Sequence, residues 1–203
     1  MSLGASIVDF MLIISARSLL VDKLDDLALG TSDGLAYFYF SYRAGSEQTP
    51  EKVAACLVHQ LAAQAPELPR ELEEYYAKLQ PRQKRPEFDS LCQLLEILVK
   101  SFPATWIAFD ALDECAERPR QAVLGLINRL EQVGARIFAT SRPHVNSVQR
   151  NFHRVLQKTV TASPQDLRRL IETRLAVESS AERLPADLKA AIVAEVSKSA
   201  HGM

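Results

Sequence analysis

Three carboxylates follow a short apolar run near the middle of the chain. The run covers residues 105–109, and Asp110, Asp113 and Glu114 follow within five positions. Close like charges repel one another unless a cation or solvent relieves them. A hard divalent cation with oxygen ligands is the usual reason to gather carboxylates, and Mg²⁺ with a nucleotide phosphate is the commonest pairing. The alternative is a solvated acidic loop before a helix, because helix N-termini favour acidic residues.

A second polar cluster ends the next apolar run. Residues 135–139 are followed by Thr140, Ser141 and Arg142, and then by Pro143. A guanidinium group matches phosphate oxygens through paired hydrogen bonds, so Arg142 suits recognition of a terminal phosphate. A simple turn that ends at the proline explains this cluster equally well when it is taken alone. The acidic cluster on the preceding run favours the functional interpretation.

The elements that must position these residues alternate between apolar runs and amphipathic helices. Strands are predicted at 35–41, 105–110 and 135–140, with a fourth candidate at 155–160. Helices are predicted at 5–29, from 49 onward, at 88–99, 123–130 and 163–177, and from 184 to the end.

Residues 35–41 are apolar on both faces, which is typical of a buried parallel strand. Helices long enough to cross over between strands predict an α/β fold with a three-layer parallel sheet, followed by C-terminal helices. Ligands bind beyond the carboxyl ends of such strands. Asp110, Asp113 and Arg142 are therefore expected at one cleft.

The charge and aromatic content of the chain exclude two kinds of binding partner. The chain has 24 Lys and Arg against 25 Asp and Glu, and 7% aromatic residues, so neither nucleic acid nor an anionic membrane is an expected partner. No apolar stretch approaches the roughly 20 residues of a membrane span, and no basic start marks a signal peptide. The three cysteines are widely spaced, as in proteins of reducing compartments. A cytoplasmic protein is expected.

Two familiar motifs are disfavoured. Residues 30–34 read Gly-Thr-Ser-Asp-Gly, but a nucleophile elbow needs a strand before its serine and a helix after it. The predicted order around Ser32 is the reverse, so a serine hydrolase is a distant alternative. A P-loop needs G-x-x-x-x-G-K-[ST] to cradle phosphates, and none of the seven glycines precedes a lysine. The four histidines show no zinc-ligand spacing.

The stretches Phe-Asp-Ala-Leu-Asp-Glu-Cys at 109–115 and Ile-Phe-Ala-Thr-Ser-Arg-Pro at 137–143 resemble a fungal NACHT domain. This is the type found in nephrocystin-3-like and NOD-like STAND proteins, P-loop NTPases that are often joined to ankyrin or WD repeats. The resemblance covers most of residues 5–203. Residues 37–40 and 48–50 also resemble the second strand and following helix of that family.

The resemblance implies roles for individual residues. Asp110 would be the Walker B ligand of Mg²⁺, and Asp113 and Glu114 would position or activate water. Arg142 would be the sensor of the terminal phosphate of ATP or GTP, with Thr140 and Ser141 beside the bound nucleotide.

The resemblance also implies a domain organisation and a function. The family's Walker A segment would immediately precede residues 5–10, and the sequence begins too late to hold it. Residues 1–160 are therefore expected to be a truncated nucleotide-binding core, and residues 161–203 the start of a helical region. The expected function is that of a signalling-switch fragment with impaired nucleotide binding and no hydrolysis. It would act through protein partners or as a homo-oligomer. A nucleotide-independent protein interaction module is the alternative.

Overall fold

The computed structural model describes residues 32–44, 47–79, 86–142, 145–152, 156–159, 163–177 and 184–200. These residues fall into two compact units, one within Leu19–Val155 and the other from Leu156 onward. The helix expected at 5–29 lies outside the described residues. The division between residues 160 and 161 stays a prediction.

A parallel sheet forms the centre of the first unit. Its strands are β1 (Gly34–Tyr39), β2 (Thr105–Asp110) and β3 (Arg136–Ala139), in the spatial order β1-β2-β3. The helices of this unit are α1 (Pro50–Gln64), α2 (Arg70–Leu79), α3 (Phe88–Lys100), α4 (Glu117–Gln132) and α5 (Asn146–Asn151). The predicted α/β class, with a parallel sheet flanked by helices, is confirmed.

Local sequence explains where α1 begins. Pro50 occupies the first helical position, and the Thr49 hydroxyl accepts a hydrogen bond from the backbone N–H of Lys52 at 3.4 Å. A hydroxyl cap satisfies one of the helix's unpaired donors, and proline at the first position forfeits no helical hydrogen bond. The helix start predicted at residues 49–50 is therefore confirmed.

One face of the sheet forms the main hydrophobic core with the helices. Ala36 from β1 and Ile107 and Phe109 from β2 are almost completely buried. Their helical partners from α1, α3 and α4 are Val53, Leu57, Leu61, Leu91, Leu95, Leu98, Val123, Ile127 and Leu130. These residues recur every three or four positions along each helix, as expected for a helix with one buried face. The core holds β2 between its two neighbours, and so fixes where Asp110 emerges.

Two expectations about strands are wrong in detail. β3 is not buried on both faces, since Arg136 is exposed and Phe138 is 42% exposed. Residues 156–159 form no strand. Leu156 is fully exposed, and the polar residues that follow it offer no apolar face for a sheet to bury.

The second unit contains α6 (Pro164–Val177) and α7 (Ala186–Ala200). In the described part of this unit, Ile171 and Val193 are buried, and Leu175 and Val196 pack against them. The predicted C-terminal helices are confirmed. Among the described residues, no helix has the length and apolar character needed to cross a membrane.

Candidate functional site

Asp110 is the last residue of β2 and lies at the carboxyl edge of the sheet. In the strand register it stands opposite Tyr39 of β1, and its neighbour Phe109 stands opposite Ala139 of β3. The three strands therefore end at nearly the same level. Asp110 is 6% exposed and, with Thr105, is one of two buried polar residues in the described part of the chain. A carboxylate is rarely buried unless it is paired or binds a cation.

Thr140 joins the ends of β2 and β3. Its hydroxyl donates a short hydrogen bond to Oδ1 of Asp110 and accepts one from the backbone N–H of Ala111 at 2.9 Å. Its backbone N–H donates to the carbonyl of Phe109, and its carbonyl accepts from the N–H of Leu112, both at 2.9 Å. One threonine therefore binds both the buried carboxylate and the turn that follows it.

The turn itself depends on Ala111. This residue has a φ of 55° and a ψ of 50°, in the left-handed region. Such a conformation costs an alanine roughly 1–2 kcal/mol relative to the right-handed region. Backbone strain of this kind clusters at functional sites, where the surrounding contacts maintain it. Here the hydrogen bond to Thr140 is one such contact.

Asp113 and Arg142 form an ion pair across the loops after β2 and β3. Oδ1 of Asp113 accepts from the backbone N–H of Arg142 at 3.2 Å, and Oδ2 lies 3.3 Å from the Arg142 Nε. The Asp113 side chain is 9% exposed and that of Arg142 is 46% exposed. The guanidinium group is therefore accessible from solvent, while its carboxylate partner is largely enclosed. Next to this pair, the Ser141 hydroxyl donates to the carbonyl of Arg142 at 3.2 Å.

Glu114 faces the opposite side of the acidic loop. Its Oε2 accepts a hydrogen bond from the backbone N–H of Tyr42 at 3.1 Å, in the short 3-10 turn that follows β1. Asp113 therefore holds the loop after β3, and Glu114 holds the loop after β1. The structure brings Asp110, Thr140, Asp113 and Arg142 together at the sheet edge. Glu114 diverges from them, and the roles expected for all these residues stay predictions.

Arg120 also shapes the site, although no sequence motif indicated it. From α4, its Nη2 donates to the Asp113 carbonyl and its Nε to the Cys115 carbonyl, both at 3.0 Å. Its Nη1 donates to the Ser147 hydroxyl at 3.3 Å. The guanidinium group thus fixes the backbone of the acidic loop. The sequence feature that could have indicated Arg120 is its position as a basic residue in the first turn of a helix, where acidic residues are usual.

The donor groups at this edge suit a cation that arrives with phosphate. The described residues include no cluster of three or more His, Cys, Asp or Glu side chains that could hold a metal ion. Mg²⁺ is usually bound by one or two carboxylates, with phosphate oxygens and water completing its shell. Asp110 provides such a carboxylate, which the Thr140 hydroxyl orients through its hydrogen bond, and the exposed guanidinium group of Arg142 is suited to phosphate.

Two other reactive groups are not part of this site. Burial raises the pKa of the Cys115 thiol, so this residue stays protonated near neutral pH and is a poor nucleophile. Ser32 lies two residues before β1, and a strand therefore follows this serine instead of the helix that a nucleophile elbow requires.

The fold and the site together define an α/β protein with a polar site at the carboxyl edge of its parallel sheet. The family model described as "Nephrocystin 3, N-terminal" matches residues 15–142, a span that contains all three strands and every candidate site residue. The chain therefore belongs to the nephrocystin 3 N-terminal family. Comparison with the curated proteins and with the solved structures gives no match.

Proposed function

We propose that this chain is part of a NACHT-type nucleotide-binding switch of the STAND class, whose sheet edge binds ATP or GTP together with Mg²⁺. One observation carries the proposal: Asp110, Thr140 and the Asp113–Arg142 pair meet at the carboxyl ends of adjacent parallel strands. Ligands of open parallel sheets bind at this edge. Membership of the nephrocystin 3 N-terminal family supports the proposal.

Each side chain has a definite task in this proposal. Asp110 would hold Mg²⁺, which neutralises part of the phosphate charge when it is bound. Thr140 would orient the Asp110 carboxylate and lie beside the nucleotide. Arg142 would bind the terminal phosphate, with Ser141 beside it. The phosphate and Asp113 would compete for the same guanidinium group, because Asp113 contacts it in the present conformation. Asp113 and Glu114 would orient water.

The 203-residue chain is expected to bind nucleotide weakly and not to hydrolyse it. Phosphoryl transfer depends on positioning and on charge stabilisation, and a P-loop supplies much of both. The sequence contains no G-x-x-x-x-G-K-[ST] motif. Nucleotide turnover by the purified chain that is lost on Asp113→Ala would contradict this expectation.

Titration with fluorescent ATP and GTP analogues, with and without Mg²⁺, tests the proposed site. We expect Mg²⁺-dependent binding that Asp110→Asn weakens roughly ten-fold or more, equivalent to about 1.4 kcal/mol. Asp89→Asn is the matched control, since the Asp89 side chain is 88% exposed on α3. Binding that does not depend on Mg²⁺, or that both variants weaken equally, would contradict the proposal.

A nucleotide-independent interaction module is the second candidate. It is favoured by the hydrogen bonds of Asp113 and Glu114, which each hold a neighbouring loop as a structural residue would. This candidate predicts that Asp113→Asn lowers stability and that neither nucleotide raises it. In both cases we propose that the protein acts in the cytoplasm through protein partners or a homo-oligomer. Thermal unfolding with and without Mg²⁺-nucleotide separates the two candidates.

A further inference from the structure

The outer edge of β1 faces away from β2. The N–H groups of Gly34 and Phe40 donate to the carbonyls of Ala104 and Asp110, so the even-numbered residues pair inward. Leu35 and Tyr37 therefore direct their backbone N–H and C=O groups outward. An unpaired row of such groups is a template on which another chain can add a strand.

Two glutamines of α1 pair with these outward groups. Gln64 accepts from the N–H of Leu35 at 2.9 Å and donates to the Leu35 carbonyl at 2.6 Å. Gln60 makes the same two bonds with Tyr37, at 3.0 and 2.9 Å. Each side-chain amide thus exchanges both hydrogen bonds with one residue, as an antiparallel strand does at a hydrogen-bonded pair.

A third glutamine extends the pattern along the edge. The Gln48 side chain accepts from the N–H of Ser41 at 3.0 Å and donates to the carbonyl of Tyr39 at 3.2 Å. This amide bridges residues that lie two positions apart, as a residue of a parallel strand does. The three glutamines together bond the N–H and C=O groups of Leu35 and Tyr37, the carbonyl of Tyr39 and the N–H of Ser41.

The spacing of the glutamines explains why a helix can pair with a strand. Gln60 and Gln64 are four residues apart, a rise of about 6.0 Å in an α-helix. Leu35 and Tyr37 are two residues apart, a rise of about 6.6 Å in a strand. The two repeats nearly coincide, and the pairing of Gln64 with Leu35 and Gln60 with Tyr37 runs α1 antiparallel to β1.

We propose that Gln48, Gln60 and Gln64 form an edge guard, which prevents a second copy of this chain from pairing with β1. The strand reads Gly-Leu-Ala-Tyr-Phe-Tyr, without charge or proline, and such six-residue segments self-pair readily when they are exposed. Every copy carries the same segment, so a second copy is the partner that the guard must exclude. Association of intact copies then uses other surfaces.

The test removes the amides and keeps the helix. The guard Met variant, Gln60→Met with Gln64→Met, preserves side-chain length and helix propensity. The matched control is His59→Met with Ala63→Met, which places two methionines at the same spacing on exposed positions of the same helix. The guard Lys variant, Gln60→Lys with Gln64→Lys, also removes both amides, but it adds charge of the kind that blocks strand pairing at natural edges.

Light scattering across a concentration series gives the average molecular mass of each variant and of the unmodified chain, and the masses are compared at each concentration. We expect the mass of the guard Met variant to at least double with concentration, and the guard Lys variant and the control to match the unmodified chain. Hydrogen exchange should show loss of Tyr37 amide protection in both guard variants and not in the control. In the guard Met variant alone, that protection should return as concentration rises, because β1 then pairs with β1.

Four results would overturn the proposal. The first is a guard Met variant that keeps the mass of the unmodified chain. The second is equal association of the guard Lys variant, which indicates general misfolding. The third is equal association of the control, which indicates that exposed methionines alone cause it. The fourth is an unchanged exchange rate at Tyr37 in the guard variants.

A single substitution keeps the proposal testable if the guard Met variant does not fold. Gln64→Met alone removes the amide that pairs with Leu35 and leaves the one that pairs with Tyr37. Leu35 must then lose amide protection while Tyr37 keeps it, and any other pattern contradicts the guard.

Discussion

Replacing Thr140 with valine removes a single hydroxyl group from the candidate site and nearly preserves the side-chain volume. The hydroxyl donates to the buried Asp110 carboxylate and accepts from the N–H of Ala111. A hydrogen bond to a charged group contributes about 1.5–3 kcal/mol, and a buried N–H left unsatisfied costs about 1–3 kcal/mol. Because nearby solvent can partly replace these bonds, we expect Thr140→Val to lower the free energy of unfolding by about 3 kcal/mol.

Thr105 provides the matched control. It is 1% exposed on the same sheet, and its hydroxyl makes one neutral hydrogen bond, to the Val99 carbonyl at 3.0 Å. Thr105→Val should therefore cost about 1 kcal/mol. Thr140→Ser keeps the hydroxyl and should cost less than about 1 kcal/mol, for the lost methyl group. Urea unfolding followed by the fluorescence of Trp106, the single tryptophan of the chain, measures all three variants.

Two outcomes would contradict this role of the Thr140 hydroxyl. If Thr140→Val costs no more than Thr105→Val, the hydroxyl does not stabilise the buried carboxylate. If Thr140→Ser costs as much as Thr140→Val, the methyl group contributes as much to stability as the hydroxyl, and the two hydrogen bonds of the hydroxyl have no special weight.

At two glycines, Gly125 and Gly134, a new Cβ would meet nothing within 4 Å, so the backbone conformation alone decides the effect of alanine. The changes in the free energy of unfolding should therefore have opposite signs at the two positions in the same assay. Gly125→Ala, within α4, should stabilise by about 0.5–1 kcal/mol, and Gly134→Ala, at a φ of 100°, should destabilise by about 1–2 kcal/mol. Burial raises the pKa of Cys92 from 9.0 to about 11. From pH 9 to 11 the unfolded chain loses this proton while the folded chain keeps it, so unfolding measured against pH should show stability falling there, by at most about 3 kcal/mol. A thiol reagent at about pH 8 should modify the half-buried Cys56 before Cys92, and equal rates would contradict this.

Part of the fold and the site followed from local sequence. The apolar run before Asp110 predicted a strand, and the parallel order of the strands placed Asp110 and Arg142 at one edge. The Thr49 cap was also predictable, since it involves only neighbouring residues. Each of these inferences depends on periodicity or on short-range chemistry.

Other features depend on contacts between distant segments. The edge guard requires the register of α1 against β1, and no spacing within one element specifies that register. Asp113 and Glu114 are adjacent in sequence, yet they hold different loops because each faces a different neighbouring strand. The candidate strand at 155–160 was wrong over the described residues 156–159, because a single apolar residue among polar ones gives a sheet no face to bury.

Locating the bound cation shows whether the carboxyl edge of the sheet binds Mg²⁺ together with nucleotide. Mn²⁺ in place of Mg²⁺ broadens the NMR signals of nearby amides. With ATP or GTP present, we predict strong broadening at Ala111 and Thr140 and little at Thr105, which lies five residues, or about 17 Å, from Asp110 along β2. Asp110→Asn should greatly reduce this broadening at the same Mn²⁺ concentration. Equal broadening along β2, or broadening that is undiminished in the variant, would contradict a nucleotide-linked cation site at this edge of the sheet.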